Sequence, residues 1–468
     1  MDELFEPGRY LLPRAPLTSL DEYLATPWGG LGIARAVELG PEETIAVISA
    51  SGLRGRGGGG FPTGRKWRGV RGQEGTIRYV VANGAEGEPG TFKDRLLMRT
   101  NPYQIVEGVI VAAFAVDAAE AFIAIKASFT HEYDRLLAAI TQFQSAGICR
   151  DCKVTIVTGP DEYLFGEEKA MLEVIEGKAP LPRVLAPFEH GLFATTPQTG
   201  WSATEPEAGR AGRYESNPTL VNNVETLANV GPILALGAPW FRQRGSDSSP
   251  GNVVCTVVGD VRRAGVGEVE LGTPLRRIID DLGAGAHDGR TIKAVFSGVA
   301  NSVVPAEKVD VALTYESFQA IGSGMGAGGF IVFDDSACMV EVARQFSRFL
   351  AIESCGQCPP CKNGSAQITA LLHQIEAGVG SAGDIDLLGG WLRRVTDGNR
   401  CYLAVEEQVV VSSILRSFPE EFDEHLSAAT CPRPRRIDFP KITDLDVATG
   451  SVTYDESIYR KQPDWTYR

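Results

Sequence analysis

A set of four cysteines in the last third of the chain constrains its fold most. Cys355, Cys358 and Cys361 are separated by two residues each, and Cys401 follows on a distant segment. Two successive two-residue gaps make a compact loop that can aim three thiolates at one point. Three such ligands with a remote fourth suit a cubane iron–sulfur cluster better than zinc, which more often uses two separate Cys-x-x-Cys pairs. The alternative is a disulfide cluster or a set of buried thiols, which cytosolic chains seldom keep at ligand spacing. The set therefore favours electron transfer as the function.

The bulk composition narrows the class of protein further. A chain of 468 residues predicts about two to four domains. The net charge of −14, with no run of Lys or Arg, argues against nucleic acid and anionic membrane surfaces. The first residues, Met1 to Glu6, lack the basic and apolar parts of a signal peptide. Nine cysteines in a chain without such a leader indicate a reducing cytoplasm and metal binding rather than disulfides. The most apolar stretch, Ile105 to Ile125, is broken by charges and predicts a buried helix followed by a strand rather than a membrane span.

The order of patterns along the chain predicts five parts. Residues 1–50 form an N-terminal lead, and residues 51–240 form an α/β domain in which apolar strands alternate with helices. Residues 252–334 show short strands, turns and one helix, which favours a small α+β domain. Residues 335–430 are helical and hold the cysteines, and residues 431–468 form a proline-rich tail.

Within the predicted α/β domain, the strands and helices can be placed segment by segment. Strands are expected at 78–82, 121–125 and 153–157, and helices at 103–116, 131–144 and 167–176. A polar stretch rich in Thr, Pro, Gly and Ser, from Phe193 to Asn217, predicts a long loop or insertion.

A glycine-rich loop from Gly52 to Trp67 is the second strong signal. Its glycines let the backbone approach a flat ring or a phosphate without Cβ clashes. It matches neither the dinucleotide fingerprint nor the P-loop. A bare flexible linker is the alternative, which the embedded Arg54, Arg56 and Phe61 make a poor fit.

Five blocks in one order resemble the NADH-binding flavoprotein subunit of respiratory complex I and the matching subunits of soluble NAD-linked hydrogenases and formate dehydrogenases. The resemblance runs from about residue 30 to about residue 430. The blocks are the glycine loop, residues 83–95 (NGAEGEPGTFKDR), 163–168 (YLFGEE), 221–226 (VNNVET) and the cysteine set. The resemblance implies a Rossmann-like domain for FMN and NADH, a small ubiquitin-like domain, and a C-terminal helical bundle with one four-iron four-sulfur cluster.

The resemblance also implies roles for individual residues. It places the flavin and nicotinamide against Gly55, Gly57, Gly58 and Lys66. It assigns hydrogen bonds to FMN to Asn83, Asn222, Asn223 and Thr226. It places the adenine between Phe61 and Phe188, and NADH contacts at Glu88, Glu167 and Glu168, the last two in the block that also holds Tyr163 and Gly166. It assigns the cluster to Cys355, Cys358, Cys361 and Cys401. Considered alone, the two phenylalanines would be core residues and Glu167-Glu168 a solvated helix start.

Three positions depart from the family's pattern. Ala85 stands where the family usually has Asp, the segment from Phe193 to Asn217 is longer than usual, and Tyr402 follows Cys401 where a small residue or Pro is commoner. The remaining thiols carry no predicted chemistry. Cys149 and Cys152 are interpreted as incidental, Cys255, Cys338 and Cys431 as structural, and no histidine is expected in a ligand-like cluster.

The function implied is the electron-input subunit of an NADH dehydrogenase, in which hydride passes from NADH to FMN and single electrons pass to the cluster. No protein nucleophile or general base is needed, and Glu88 and Lys66 have supporting roles. The implied partners are a small thioredoxin-like two-iron two-sulfur subunit and further iron–sulfur subunits, with no nucleic acid and no direct membrane insertion. The expected location is cytoplasmic, peripheral on the inner membrane face in complex I. A soluble hydrogenase or formate dehydrogenase working in either direction is the alternative, and a non-catalytic cluster scaffold is a third hypothesis.

Overall fold

The computed structural model describes residues 4–75, 77–148, 152–196, 214–428 and 430–463. The chain forms two compact units. The first comprises Met1–Glu86, Lys93–Val254 and Gly267–Gly272, and the second comprises Gly87–Phe92, Cys255–Val266 and Thr273–Arg468. The five-part division expected from the sequence is finer than this one and stays a prediction.

Four parallel strands form the sheet of the first unit: β1 (Tyr79–Asn83), β2 (Glu120–Lys126), β3 (Lys153–Gly159) and β4 (Thr219–Asn223). They lie side by side in the order β3-β2-β1-β4. The chain moves outward from β1 through β2 to β3 and then returns to the other side of β1 as β4. The direction of winding therefore changes between β1 and β4, and open α/β sheets bind ligands at the carboxyl ends of strands at such a point.

The helices of the first unit surround this sheet. They are α1 (Leu20–Leu24), α2 (Leu31–Leu39), α3 (Pro41–Ser51), α4 (Thr63–Arg71), α5 (Lys93–Thr100), α6 (Pro102–Val116), α7 (Thr130–Ser145), α8 (Glu168–Ile175), α9 (Val224–Ala228), α10 (Val230–Leu236) and α11 (Ala238–Phe241), with a 3₁₀ turn at Tyr163–Gly166. The apolar stretch expected to be a buried helix and a strand is α6 and β2, which confirms that prediction. The predicted Rossmann-like α/β architecture is confirmed as well. Residues 197–213, the centre of the predicted insertion, lie outside the described residues.

The second sheet has five strands around one main helix. Its elements are β5 (Asn252–Gly259), β6 (Gly265–Glu270), α12 (Leu275–Gly283), β7 (Ile292–Ser297), β8 (Val304–Pro305), α13 (Tyr315–Ala320) and β9 (Gly329–Asp334), with a 3₁₀ turn at Ala306–Lys308. The strand order is β6-β5-β9-β7-β8, in which β5 and β9 are parallel and β7 is antiparallel to β9. This mixed sheet, with its first and last strands side by side at the centre, has the arrangement of the predicted ubiquitin-like fold.

A helical bundle follows this sheet. It consists of α14 (Met339–Glu353), α15 (Pro359–Glu376), α16 (Ala382–Arg394), α17 (Leu403–Ser417) and α18 (Pro419–Ser427). The segment after it forms a hairpin of β10 (Ile442–Asp446) and β11 (Ser451–Tyr454) and a 3₁₀ turn at Glu456–Tyr459. In the ranges that the structure describes, no helix has both the length and the apolarity needed to cross a bilayer.

Candidate functional site: a cavity at the strand ends and a cysteine loop

A cavity of about 780 Å³ opens at the carboxyl ends of β1 and β4. Its size lies within the range of roughly 300–1,000 Å³ that is usual for small-molecule sites. Eleven of the residues assigned to cofactors from the sequence line it: Gly55, Gly57, Phe61, Lys66, Asn83, Gly166, Glu168, Phe188, Asn222, Asn223 and Thr226. Gly58, Glu88, Tyr163 and Glu167 are not among the lining residues.

Three asparagines lie at the ends of β1 and β4, which are neighbours in the sheet. Asn83 is the last residue of β1 and pairs in register with Asn223, the last residue of β4, and Asn222 precedes it. Trp67 Nε1 donates to Asn222 Oδ1 at 2.8 Å, and Asn83 Nδ2 donates to the carbonyl oxygen of Gly166 at 2.8 Å. These bonds fix how each amide is turned, so the sheet presents polar groups at defined positions.

Asn222 retains an unused donor. Its side chain lies in the cavity wall and is 6% exposed, and its Oδ1 is taken by Trp67. Among the residues that the structure describes, its Nδ2 group has no hydrogen-bond acceptor. The Nδ2 atom is not one of the fully buried polar atoms that lack a partner, so it is open to the cavity and can donate to an acceptor at a ligand's edge. The donor set therefore fits the polar edge of a flavin ring.

The glycine loop closes back on itself beside this edge. Gly55 N donates to Phe61 O at 2.9 Å, and Arg54 Nε donates to Gly60 O at 2.7 Å. Gly58 has φ of 115°, which favours glycine. A Cβ added at Gly57 would lie 3.1 Å from the Cβ of Asn223, which is closer than most Cβ contacts, so a side chain at that point would crowd β4.

Arg56 anchors this loop to the backbone of residues 250 and 252. Its guanidinium is 2% exposed and donates to the carbonyl oxygens of Pro250, at 3.2 Å, and Asn252, at 3.1 Å. Its backbone N–H donates to Thr226 Oγ1 at 2.8 Å, which ties the loop to α9. Arg56 is thus a structural support that the sequence signal could not distinguish from a ligand-binding residue.

Charge in the cavity wall is mostly positive. Arg65, Lys66 and Arg68 face a single carboxylate, Glu168, among the described lining residues. Lys66 Nζ and Glu168 Oε2 form an ion pair at 2.7 Å. The excess of cations suits a ligand that carries phosphate groups. Phe61 and Phe188, which are 47% and 40% exposed, also line the cavity, as the sequence-based assignment to an adenine requires.

The other assigned carboxylates have protein partners. Glu167 is the N-cap of α8, where its Oε2 accepts from the backbone N–H groups of Lys169 (3.0 Å) and Ala170 (2.9 Å). Burial raises the pKa of Glu167 to about 7. Glu88 belongs to the second unit, where its Oε1 accepts from Val299 N at 2.6 Å. The nucleotide contacts assigned to Glu167, Glu88 and Tyr163 stay predictions.

A buried cluster of charges lies next to Asn223, and the sequence analysis missed it. Lys93 Nζ contacts Asp94 Oδ1 at 2.7 Å and Glu225 Oε2 at 2.8 Å, and Arg95 Nε contacts Glu86 Oε2 at 2.9 Å. Asn223 Nδ2 donates to Asp94 Oδ2 at 2.8 Å. Burial raises the pKa of Asp94 to about 6, even though the charge of Lys93 opposes the shift. The cluster therefore orients an amide of the cavity wall.

The four cysteines assigned to the cluster lie in the helical bundle of the second unit. Cys355 and Cys358 precede α15, Cys361 lies in its first turn, and Cys401 precedes α17. In the described part of the chain, no three of these four sulfur atoms all lie within 4.8 Å of one another. Three thiols at the start of α15 and a fourth just before α17 agree with the three-plus-one arrangement of ligands expected from the sequence.

Hydrogen bonds hold the cysteine loop in place. Gln357 Nε2 donates to Cys355 Sγ at 3.6 Å, and Arg400 Nη1 donates to Gln357 Oε1 at 3.0 Å. The second bond brings the residue before Cys401 against the loop. Burial, and to a smaller extent the neighbouring thiols, raise the pKa of Cys361 to about 12. Buried thiols of this kind become thiolates when a metal replaces their protons, so the donor set fits a cluster.

Comparison with known proteins agrees with both sites. Residues 48–232 match the Nuo51 FMN-binding domain, and residues 341–425 match the iron–sulfur binding region of NADH-ubiquinone oxidoreductase-F. An F-type subunit of NADH-quinone oxidoreductase in Rhizobium meliloti is 37% identical over 404 residues, which are 84% of this chain and 91% of the relative. The NADP-reducing hydrogenase subunit HndC of Solidesulfovibrio fructosivorans is 34% identical over 423 residues, which are 88% of this chain and 82% of the relative.

A solved structure is similar as well. It is an NAD⁺-reducing NiFe hydrogenase in the H2-reduced state, with a TM-score of 0.75 and 30% identity, and the match covers 90% of this chain and 68% of that one. The cavity, the cysteine loop and these matches agree. The chain belongs to the family of NADH-quinone oxidoreductase F-type subunits, NADH dehydrogenase subunits whose cofactors are FMN, NAD(H) and one four-iron four-sulfur cluster.

Proposed function

We propose that this chain is the electron-input subunit of an NADH-dependent complex, and that it takes electrons from NADH in the first unit for release through the cysteine loop of the second. The observation that carries this proposal is the Nδ2 donor of Asn222, which has no acceptor among the described residues and opens onto a cavity at the β1/β4 change of direction. FMN, when bound, accepts a hydride as a pair of electrons and releases electrons singly, which NADH cannot do.

The protein's own residues orient the reactants rather than react. The amides of Asn83, Asn222 and Asn223 present donors and acceptors that fix the flavin's polar edge. Lys66 supplies positive charge where the ring becomes negative, and its pairing with Glu168 keeps the lysine in place when the cavity is empty of nucleotide. Phe61 and Phe188 offer exposed aromatic faces to an adenine.

Nucleotide choice is proposed to depend on Glu168. A carboxylate can accept a hydrogen bond from a free ribose hydroxyl, whereas a 2′-phosphate would meet like charge. The hydrogenase subunit HndC is named as NADP-reducing, so both choices occur among relatives. We infer a preference for NADH here, because Glu168 places a carboxylate in the wall of the cavity.

The parent complex is proposed to be an NADH:quinone oxidoreductase of the complex I type, with the chain in the cytoplasm at the inner membrane face. Relatives named as its F-type subunits support this assignment. Its proposed partners are a small thioredoxin-like two-iron two-sulfur subunit and further iron–sulfur subunits. A soluble NAD-linked hydrogenase is the second candidate, and the likeness to the NiFe hydrogenase structure favours it.

The test combines cofactor analysis with one variant. The purified chain, together with whatever subunits copurify, should contain FMN and reduce an artificial one-electron acceptor with NADH. Asn222→Asp keeps an oxygen for Trp67 but removes the donor, so it should lose FMN while its thermal unfolding midpoint stays close to that of the wild type freed of FMN. Full FMN content in Asn222→Asp would refute the role of this amide. The identity of the copurifying chains, membrane subunits or a hydrogenase, decides between the two parents.

A further inference from the structure

Three ligand atoms converge in the second unit, away from the four cysteines discussed above. The sulfur atoms of Cys338 and Cys431 and a ring nitrogen of His425 all lie within 4.8 Å of one another. Cys338 and His425 are fully buried, and Cys431 is half-buried. The sequence analysis assigned no ligand-like cluster to any histidine and interpreted both cysteines as structural. The expectation about the histidines was wrong, because His425 lies in such a cluster, while the interpretation of the two cysteines as structural stays a prediction.

The three side chains come from separate places in the chain. Cys338 is the N-cap of α14, where its sulfur accepts from Glu341 N at 3.5 Å. His425 lies in the last turn of α18, and Cys431 follows that helix, where its sulfur accepts from Arg433 N at 3.4 Å. Folding, rather than a local sequence motif, brings them together, which is why the spacing gave no signal.

The imidazole is held in the form that can bind a metal. His425 Nδ1 lies 2.7 Å from the carbonyl oxygen of Glu421, which can only accept, so Nδ1 carries the proton and donates. In the neutral ring Nε2 then has its lone pair available, and this atom lies 3.5 Å from Cys338 Sγ. A backbone carbonyl that fixes the tautomer of a histidine in this way is the usual support of a metal-bound imidazole.

The charges nearby suit a neutral metal complex. Glu421 is paired with Lys293 and with Arg433 (3.5 Å), so its carboxylate is already balanced. Two thiolates and one divalent ion carry no net charge, so such a unit can be buried at less cost than a bare ion. Burial raises the pKa of both Cys338 and Cys431, so an ion would have to displace their protons.

We propose that Cys338, His425 and Cys431 bind one divalent zinc ion, separate from the iron–sulfur cluster. Two sulfurs and one imidazole are ligands that zinc prefers, and three protein ligands leave one position for water. Such an ion would tie the first turn of α14 to the end of α18 and to the segment that follows it. The proposal does not depend on the reaction at the flavin, so each can fail without the other.

The first experiment counts metals in the whole protein. The chain and its copurifying subunits are isolated without oxygen, with the cluster intact, from cells supplied with zinc, and zinc and iron are measured together. We expect about one zinc ion in addition to the cluster's iron. Cys431→Ser should lower zinc at least tenfold and leave iron unchanged. Cys152→Ser, a matched change at another half-buried cysteine, should change neither.

The second experiment needs no variant and so does not depend on folding. X-ray absorption at the zinc edge of the wild type should show two sulfurs at about 2.3 Å and at least one nitrogen at about 2.0–2.1 Å. The proposal is overturned if a protein with a full cluster takes up no zinc, if Cys431→Ser retains it, or if the absorption shows no sulfur ligand. A Cys338–Cys431 disulfide in peptides of freshly isolated protein would overturn it as well.

Discussion

Replacing Lys93 by Met removes the central cation of the buried charge cluster next to Asn223. Lys93 is 1% exposed, and its ammonium contacts Asp94 and Glu225, which are themselves buried. The cluster holds two cations, Lys93 and Arg95, and three carboxylates, those of Asp94, Glu225 and Glu86. The variant would leave one cation for three acids. Met fills a similar volume, so the effect measured is that of charge rather than of a cavity.

The expected loss follows from the burial of the pair. Removing one partner of a buried ion pair costs about 3–5 kcal/mol, because the remaining charges have neither water nor a counter-ion. A unit of this size shifts its unfolding midpoint by about 2–4 °C per kcal/mol, so Lys93→Met should lower it by roughly 6–20 °C. FMN should also be lost, since Asp94 orients the amide of Asn223.

The loss should grow with pH. Burial raises the pKa of Asp94 from 3.8 to about 6 in the wild type, so the stability that its proton provides is lost between these values as pH rises. Without the charge of Lys93, which opposes this shift, the pKa of Asp94 rises further, and the loss of stability extends to higher pH. The difference in midpoint between variant and wild type should therefore be larger at about pH 8 than at about pH 5.5.

The assay is thermal unfolding at both pH values, with FMN content measured on the same samples. Lys178→Met is the control, because Lys178 pairs with Glu176 at 2.8 Å and is 58% exposed. Such an exposed pair is worth about 0–1 kcal/mol. If Lys93→Met costs no more than Lys178→Met, or if its cost does not depend on pH, the electrostatic account of this cluster is refuted.

Three further predictions concern the cluster, the glycine loop and the nucleotide. Cys401→Ala should lose cluster iron and keep FMN. If iron analysis shows that the variant retains a full cluster, Cys401 is not a cluster ligand. Gly57→Val should abolish FMN binding, because a branched side chain would crowd Asn223 and take up space in the cavity wall, whereas Gly383→Ala in α16, whose added Cβ lies 3.6 Å from Ser381 Oγ, should bind FMN normally. Glu168→Gln should raise the catalytic efficiency with NADPH relative to that with NADH on the order of a hundredfold, because it removes a negative charge and leaves Lys66 unpaired. Steady-state rates with both nucleotides test this, and an unchanged ratio of the two efficiencies excludes it.

The sequence was informative where function imposes a local pattern. The asparagines at the ends of β1 and β4 and the glycine loop stand in short blocks, and the structure places most of these residues around one cavity. Apolar segments located three of the four parallel strands, β1, β2 and β3, to within one or two residues, because buried strands are nearly continuous in apolar residues, whereas β4 was not predicted as a strand. The cysteine spacing located the bundle that carries the loop.

The sequence was uninformative where contacts join distant residues. Lys93 lies beside Glu225 only because α5 and α9 pack at the same strand ends, and no spacing rule connects them. Cys338 and His425 are 87 positions apart, so their approach depends on the packing of α14 and α18. The block that holds Glu167 did not indicate that its carboxylate caps α8, and its contact with the nucleotide stays a prediction. A local sequence pattern cannot distinguish a carboxylate that caps a helix from one that contacts a ligand.

An anaerobic titration of the purified protein with NADH tests directly whether electrons enter through FMN and pass to the cluster. The account predicts that the released flavin is FMN, that NADH bleaches its visible absorption, and that low-temperature spin resonance then shows a reduced four-iron cluster that is missing from Cys401→Ala. The account is contradicted if the flavin is FAD, if no flavin is present in an otherwise active preparation, or if a chemical reductant reduces the cluster while NADH leaves both centres oxidised.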